Sequence, residues 1–215
     1  SPGGLWVIQM SYLPHMLATN AFDNICHEHL EYYSLTSLEN LLKRHGLEVF
    51  DVLTNDVNGG SFRVLCGFAS DAHLHSIQGG KGRVQAMRDA EKALGLGERG
   101  VYEDFAKRVD NLKKRTVEFV RGERATGKTI YVYGASTKGN TLLQTYGLDR
   151  KLITAAAERN PDKFGKMTVG TLIPIVSEQE AREKKPDYFL VLPWHFIGGF
   201  VEREKAYLLG GGKLI

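Results

Sequence analysis

Cysteine is scarce in this sequence, and long apolar runs are missing altogether. Among 215 residues there are two cysteines, Cys26 and Cys66, too few for a disulfide framework or a thiolate zinc site. No apolar run approaches the roughly 20 residues that cross a bilayer, and no basic segment precedes an apolar one near the first residue, as a signal peptide would require. These absences predict a soluble protein of the reducing cytoplasm, without a membrane partner.

An excess of charge of one sign is also missing. The 28 lysines and arginines oppose 25 aspartates and glutamates, so the formal net charge is only +3. A dedicated nucleic-acid binder concentrates basic residues on one surface, so we expect no nucleic-acid partner. Hydrophobic residues make up 42% of the chain and charged residues 25%, the balance of a folded globular protein. The length suits one large domain or two small ones.

The first 78 residues carry strand patterns around one helix. The apolar run Leu5–Met10 predicts a buried strand. A parallel strand needs neighbours on both sides, so its position at the start of the sequence suggests that the chain is a fragment. Thr36 and Glu39 have capping-box spacing, which predicts the beginning of a helix that Gly46 closes. The sequence Asn58-Gly59-Gly60 lies between two β-forming runs and predicts an antiparallel hairpin.

The rest of the chain changes from charged helices to an alternating pattern. Residues 79–127 are strongly charged with helical periodicity, interrupted at Gly95-Leu96-Gly97, and predict two helices that connect two globular parts. From residue 128 onward strands and helices alternate, which predicts a parallel sheet covered on both faces. The predicted strands are 130–133, 153–156, 188–192 and 213–215, and the predicted helices contain 142–146, 178–184 and 201–207.

The sequence GERATGKT, residues 122–129, matches the phosphate-loop pattern GxxxxGK[ST]. In a phosphate loop the glycine-rich segment leaves a strand and opens a helix, whose N-terminal amides hold the phosphates. Here a charged helical pattern precedes the motif and a strand pattern follows it. We therefore interpret the match as coincidental.

The sequence GASTKGNT, residues 134–141, has the context that the first motif lacks, since it directly follows a predicted strand and opens a helix. Gly134 permits a tight turn, and Gly139 permits either close packing or a close backbone approach. Three side chains at the start of this helix suit a diphosphate, namely Ser136, Thr137 and Lys138. The alternative is a plain strand-to-helix turn of an α/β domain.

Two further groups follow neighbouring strands. Glu158 lies 24 residues after Gly134, at the end of the next predicted strand, where a carboxylate can accept hydrogen bonds from ribose hydroxyls. The alternative is that Glu158 is only a surface residue. Trp194 and His195 follow the strand at 188–192, so we expect them at the same carboxyl edge, either lining a crevice or packing as a lid. These residues predict a nucleotide-binding edge.

Ionisable and phenolic side chains are concentrated before the first predicted helix: Cys26, His27, Glu28, His29, Glu31, Tyr32 and Tyr33. The two histidines are two residues apart rather than the one helical turn that a zinc protease needs, so we expect no metal site here. Imidazole is the base best matched to neutral pH, a neighbouring carboxylate can orient it, and phenols can hold an oxyanion. General acid/base chemistry is the favoured interpretation, with structural histidines as the alternative.

Five ordered blocks resemble the S-adenosylmethionine-dependent sugar C-methyltransferases. They are FDNICHEHLEYYS (22–34), NGGSFR (58–63), GASTKGNT (134–141), ERNP (158–161) and LPWHF (192–196). The resemblance covers essentially the whole chain. Members of this family place a methyl group on the carbon beside the ketone of a nucleotide-linked 4-keto sugar. They consist of an N-terminal zinc module, a central cofactor domain and a C-terminal α/β domain that helps to hold the nucleotide sugar.

The resemblance implies that this chain is the second half of such an enzyme, because the cysteine zinc ligands and the acidic, glycine-rich cofactor loop have no counterpart before Leu5. It implies a partial class I methyltransferase sheet in residues 1–78, with partners of its first strand upstream. A helical connector follows in 79–127, and a Rossmann-like nucleotide-sugar-binding domain in 128–215. The implied cofactors are S-adenosylmethionine in the full-length protein and zinc in the absent module, so we expect this chain alone to be inactive.

By resemblance, His29 matches the base that removes the proton beside the ketone, and Glu28 matches its carboxylate neighbour. Cys26 departs from the family, whose sugar-modifying members often carry a tyrosine there, and a thiol does not replace a phenol as a donor of similar reach. We then expect the donor among His27, Tyr32 and Tyr33, unless the substrate differs. The substrate-binding residues implied are Gly134, Ser136, Thr137, Lys138, Gly139, Asn140, Thr141, Glu158, Asn160, Trp194 and His195. A non-catalytic nucleotide-binding module and an NAD-dependent oxidoreductase remain the alternatives.

Overall fold

The computed structural model describes residues 3–71 and 76–215, and the chain divides into two compact units. Unit 1 contains Ser1–Phe22 and His29–Arg108, and unit 2 contains Asp23–Glu28 and Val109–Ile215. Each unit has its own sheet and its own apolar core. The predicted α/β class is confirmed, while the domain limits at residues 78 and 127 stay predictions.

Unit 1 is built on a three-stranded antiparallel sheet with the strand order β1-β3-β2. Strand β1 (Trp6–Ser11) lies beside β3 (Ser61–Phe68), which pairs on its other side with β2 (Leu47–Asn55). The predicted β2–β3 hairpin is confirmed, and Asn58 in its turn has a φ of 54°, which asparagine tolerates. Strand β1 lies at one edge of this sheet, pairs antiparallel with β3 and leaves Trp6 54% exposed, so the expected burial and parallel neighbours of this strand stay predictions.

Helices α1 (Leu13–Ala18), α2 (Leu35–Lys43) and α3 (Gly80–Leu94) complete unit 1, and α4 (Arg99–Ala125) begins there and continues into unit 2. The two helices predicted for the charged segment are confirmed as α3 and α4. Helix α1 has no counterpart in the prediction. It follows β1 after a single residue, and a proline near its start fits the first turn of a helix.

The beginning of α2 differs from the prediction. Ser34 rather than Thr36 is the N-cap: its hydroxyl accepts a hydrogen bond from the Ser37 amide, and the Ser37 hydroxyl accepts one from the Ser34 amide. Thr36 lies inside the first turn, where its amide and its hydroxyl both donate to the buried carboxylate of Glu91 in α3. A partner 55 residues away therefore fixes where this helix starts.

Unit 2 contains a five-stranded parallel sheet in the order β6-β5-β4-β7-β8. Its strands are β4 (Ile130–Tyr133), β5 (Ala156–Glu158), β6 (Ile175–Ser177), β7 (Tyr188–Val191) and β8 (Lys213–Leu214). The predicted parallel sheet is confirmed. The strand expected at 153–156 lies at Ala156–Glu158 instead, and β6 was not predicted. Both strands have only three residues, and strands this short are defined by their pairing partners more than by their own sequence.

Helices α5 (Thr137–Tyr146), α6 (Glu178–Glu183), α7 (Ile197–Arg203) and α8 (Lys205–Leu209) accompany this sheet. The helix predicted at 201–207 is split into α7 and α8, because Glu204 between them has a non-helical ψ of 19°. The GERATGKT motif spans the end of α4 and the approach to β4, so the predicted order of a helix before it and a strand after it is confirmed. No helix in the described part of the chain is both long and apolar enough to span a bilayer.

Candidate functional site

A sharp turn joins β4 to α5 in unit 2, as the sequence predicts. Gly134 has a φ of +89°, and an added Cβ there would lie 2.9 Å from Cγ of Pro193. The hydroxyl of Ser136 caps α5 by accepting a hydrogen bond from the Gly139 amide at 3.0 Å. An added Cβ on Gly139 would lie 2.9 Å from Cδ1 of Leu192, so this glycine allows α5 to pack closely on the residue that follows β7.

The first turn of α5 presents polar and basic groups at the carboxyl edge of the sheet. Thr137 and Lys138 begin the helix, and the hydroxyl of Thr141 donates back to the Thr137 carbonyl at 3.4 Å. The Oδ1 atom of Asn140 is buried without a hydrogen-bond partner among the residues that the structure describes. Asn160, beyond β5, instead caps a one-turn helix by accepting from the amide two residues later at 3.0 Å. Helix N-terminal amides and the Lys138 charge give this turn the chemistry of an anion site.

Glu158 ends β5, as predicted, but its carboxylate is engaged by the protein itself. One oxygen accepts hydrogen bonds from the Ala135 amide at 2.9 Å and the Lys163 ammonium at 3.4 Å. The other accepts from the amides of Arg159 at 2.8 Å and Asn160 at 3.0 Å. Burial raises the pKa of this carboxyl, but the three amides and Lys163 outweigh it, and the pKa lies below its usual range. The carboxylate fastens the β4–α5 turn to the end of β5, and its contact with ribose stays a prediction.

Replacing Glu158 by glutamine is expected to destabilise unit 2 by about 1–2 kcal/mol, because an amide nitrogen then faces N–H donors that a carboxylate oxygen satisfied. Since the folded pKa lies below the usual 4.5, the charged carboxylate stabilises the fold above that pH, and this contribution is lost as the pH falls through the folded value. Urea unfolding at about pH 7 and about pH 3 measures both effects. Glu183→Gln, on an exposed position of α6, is the control; equal small losses for the two variants would contradict the role of Glu158.

Residues 23–28, which open the His-Glu-His segment, pack in unit 2 beside this turn. The hydroxyl of Thr137 donates a hydrogen bond to Oε1 of Glu28 at 3.1 Å. Cys26 is half-buried and His27 is exposed in the same short segment. The predicted catalytic carboxylate and the predicted diphosphate site therefore share a direct contact.

Asp23 is a residue of this region that the sequence analysis does not single out. It is 2% exposed, and its Oδ1 atom has no hydrogen-bond partner in the described part of the chain. Burial raises the pKa of Asp23, while the charges of Lys138 and His195 and hydrogen bonding from Trp194 partly offset the rise. Asp23 belongs to the block that carries the family resemblance, but nothing in its local sequence distinguishes a buried carboxylate from an exposed one.

Trp194 and His195 begin a one-turn helix, Trp194–Phe196, that starts after the two residues following β7, at the edge where they are predicted. Their rings meet edge to face, with centroids 5.5 Å apart. Burial and the charge of Lys138 lower the pKa of His195 against the opposing charge of Asp23, which favours the neutral imidazole. An apolar cavity of about 420 Å³ lies beside Trp194, and its walls include Leu112, Leu142, Leu143, Tyr146, Leu192 and Ile197.

His29, Tyr32 and Tyr33 belong to unit 1. His29 is half-buried, and its carbonyl oxygen accepts a hydrogen bond from the Tyr32 hydroxyl at 3.0 Å, which fixes the loop ahead of α2. The Tyr33 hydroxyl donates to the Glu31 carboxylate, and this hydrogen bond raises the pKa of Tyr33. Both phenols therefore have partners within their own loop. Within residues 3–71 and 76–215, no group of three or more His, Cys, Asp and Glu side chains is arranged to hold a metal ion.

The fold defines a mixed α/β protein with one antiparallel and one parallel sheet, and two comparisons define its family. A family model of the C-methyltransferase C-terminal domain matches residues 56–215. The C-methyltransferase NovU of Streptomyces niveus is 39% identical over 215 residues, which make up 100% of this chain and 50% of that protein. The chain belongs to the C-methyltransferase family. It spans about half the length of the curated relative that it matches.

Proposed function

We propose that this chain is the substrate-handling half of an S-adenosylmethionine-dependent enzyme that methylates the carbon beside the ketone of a nucleotide-linked 4-keto sugar. Membership of the C-methyltransferase family supports methyl transfer to carbon. The observation that carries the proposal is the hydrogen bond from Thr137 to Glu28. It joins the helix start that suits a diphosphate to the segment that leads directly into His29.

In this proposal unit 2 holds the nucleotide. The N-terminal amides of α5 and the ammonium of Lys138 bind the diphosphate, since both favour negative charge. Trp194 offers an apolar face at the same edge, and the neutral imidazole of His195 can both donate and accept a hydrogen bond. Glu158 supports this arrangement by accepting a hydrogen bond from the Ala135 amide, and this role does not depend on a contact between Glu158 and ribose.

His29 is the proposed general base. A proton beside a ketone is acidic enough for an imidazole to remove, because the enolate that forms carries its charge on the ketone oxygen. Glu28 is the carboxylate proposed to orient the imidazole. The enolate oxygen needs a hydrogen-bond donor, which we propose among His27, Tyr32 and Tyr33. If a phenol provides it, its present hydrogen bond within the loop is exchanged for one to the substrate.

The glycine-rich turn of unit 1 does not fit S-adenosylmethionine. The glycine-rich turn of unit 1 joins two antiparallel strands, and an added Cβ on Gly60 would lie 2.0 Å from the ring of His15, which covers this glycine. A covered hairpin turn differs from the strand-to-helix glycine loop that holds a nucleotide cofactor. We therefore propose that the methyl donor, and the zinc that the family implies, are held by parts of the protein other than these residues, and that this chain alone is inactive.

Calorimetric titration of the 215-residue chain with separate ligands tests this function. We expect weak, saturable binding of thymidine diphosphate or uridine diphosphate, hardly any binding of S-adenosylmethionine, and no saturation by NAD. Tight binding of NAD would favour an oxidoreductase built on the Gly134 turn. Binding of a pyrimidine nucleoside diphosphate without methyl transfer by the full-length protein would favour a non-catalytic binding module.

A further inference from the structure

Two carboxylates of residues 23–28 lie near the start of α5, where the proposed function places a diphosphate. Glu28 accepts a hydrogen bond from the Thr137 hydroxyl at 3.1 Å, and Asp23 lies within electrostatic reach of Lys138. The positive end of a helix attracts carboxylates and phosphates for the same reason. The Glu28 carboxylate therefore accepts the hydrogen bond from the Thr137 hydroxyl that the diphosphate would otherwise accept.

The two acids differ in how firmly they are held. Asp23 is 2% exposed, so the segment is anchored at its first residue, and the Oδ1 atom of Asp23 has no partner among the described residues. Glu28 is exposed and its contact with Thr137 is a hydrogen bond at the surface, which contributes little net free energy. An incoming anion can thus displace Glu28 without moving the anchored end of the segment.

Resting on the proposed function, we infer that Glu28 and the substrate diphosphate compete for the start of α5, so that nucleotide binding releases the Glu28 carboxylate from Thr137. Without nucleotide, the carboxylate partly neutralises the positive end of the helix. With nucleotide, the diphosphate takes the Thr137 hydroxyl and repels the carboxylate, which then turns away from α5. Glu28 is a positioning residue, because its release makes it available to orient the imidazole of the next residue, His29.

Titration with thymidine diphosphate tests the competition in three versions of the chain: wild type, Glu28→Gln and Glu31→Gln. Glutamine keeps the size of glutamate but carries no charge, so we expect Glu28→Gln to bind roughly three- to tenfold more tightly than wild type. Glu31→Gln makes the same change of net charge three residues away, at a carboxylate that contacts Tyr33, and should bind as wild type does. Thymidine, which lacks phosphates, should bind equally to all three.

Each other outcome contradicts the competition. Unchanged or weaker binding by Glu28→Gln overturns it, while measurable binding by wild type still supports the proposed function. Binding of thymidine diphosphate by neither protein overturns the nucleotide site and the competition together. A gain that Glu31→Gln shares, or that thymidine shows as well, assigns the effect to net charge or to packing and also overturns the competition.

Discussion

Alanine at position 29 is expected to lower the rate of methyl transfer by the full-length protein roughly 10²- to 10⁴-fold, the contribution of a positioned general base. The affinity for the nucleotide should change less than about twofold, because the proposed diphosphate contacts come from Lys138 and the start of α5 and not from His29. Steady-state rates with saturating nucleotide sugar and S-adenosylmethionine measure the first effect, and calorimetry with the nucleoside diphosphate measures the second.

Exchange of the substrate proton for deuterium separates proton removal from methyl transfer. In heavy water the wild-type protein should exchange the proton beside the ketone, His29→Ala should not, and added imidazole should restore part of the exchange. His45→Ala, at an exposed position after α2, is the control for loss of a histidine and should behave as wild type. Retained exchange in His29→Ala would remove this residue from the mechanism.

Features that depend on a few consecutive residues could be predicted from the sequence. Strand β4 lies at Ile130–Tyr133 as predicted, since an apolar β-forming run ends at a glycine. The turn after it needs a positive φ at Gly134 and a hydroxyl cap at Ser136, and the identity of these two residues alone indicates both. The hairpin around Asn58 follows from the same kind of local requirement.

Features that depend on distant partners could not be predicted. Ser34 and Thr36 both have the chemistry of a helix cap, and the buried Glu91 of α3 decides between them. Glu28 and Thr137 are 109 residues apart, so their hydrogen bond has no local signal. The burial of Asp23 likewise results from packing in unit 2, which its neighbouring residues in the sequence do not indicate.

A buried acid in unit 2 carries the largest expected effect on stability. The side chain of Glu204, between α7 and α8, is 1% exposed and accepts hydrogen bonds from the Tyr133 hydroxyl at 2.7 Å and from Nε of Arg182 at 2.9 Å. Arg203 lies 3.8 Å from the same carboxylate, and its guanidinium lies over the Tyr133 ring. These contacts fix the junction of the two helices to strand β4.

Replacing Glu204 by glutamine is expected to lower the free energy of unfolding by about 2–3 kcal/mol. Glutamine has nearly the same volume, so packing changes little. The substitution removes the negative charge that Arg182 and Arg203 share and turns an NH₂ group toward donors. Because the two arginine side chains are 37% and 32% exposed, water screens part of the loss, and the effect lies below that of a fully buried pair.

Urea unfolding of wild type, Glu204→Gln and Glu202→Gln distinguishes charge from shape. Glu202 is 69% exposed and pairs only with Lys205 in the contacts described, so its substitution should cost less than about 0.5 kcal/mol.

Burial raises the pKa of Glu204, but hydrogen bonds from Arg182 and Tyr133 and the arginine charges outweigh it, so the folded pKa lies below the usual 4.5. The charged carboxylate therefore stabilises the fold above that pH, and the advantage of wild type over Glu204→Gln shrinks as the pH falls through the folded value. Equal losses for both variants at about pH 7 would contradict the role of the buried charge.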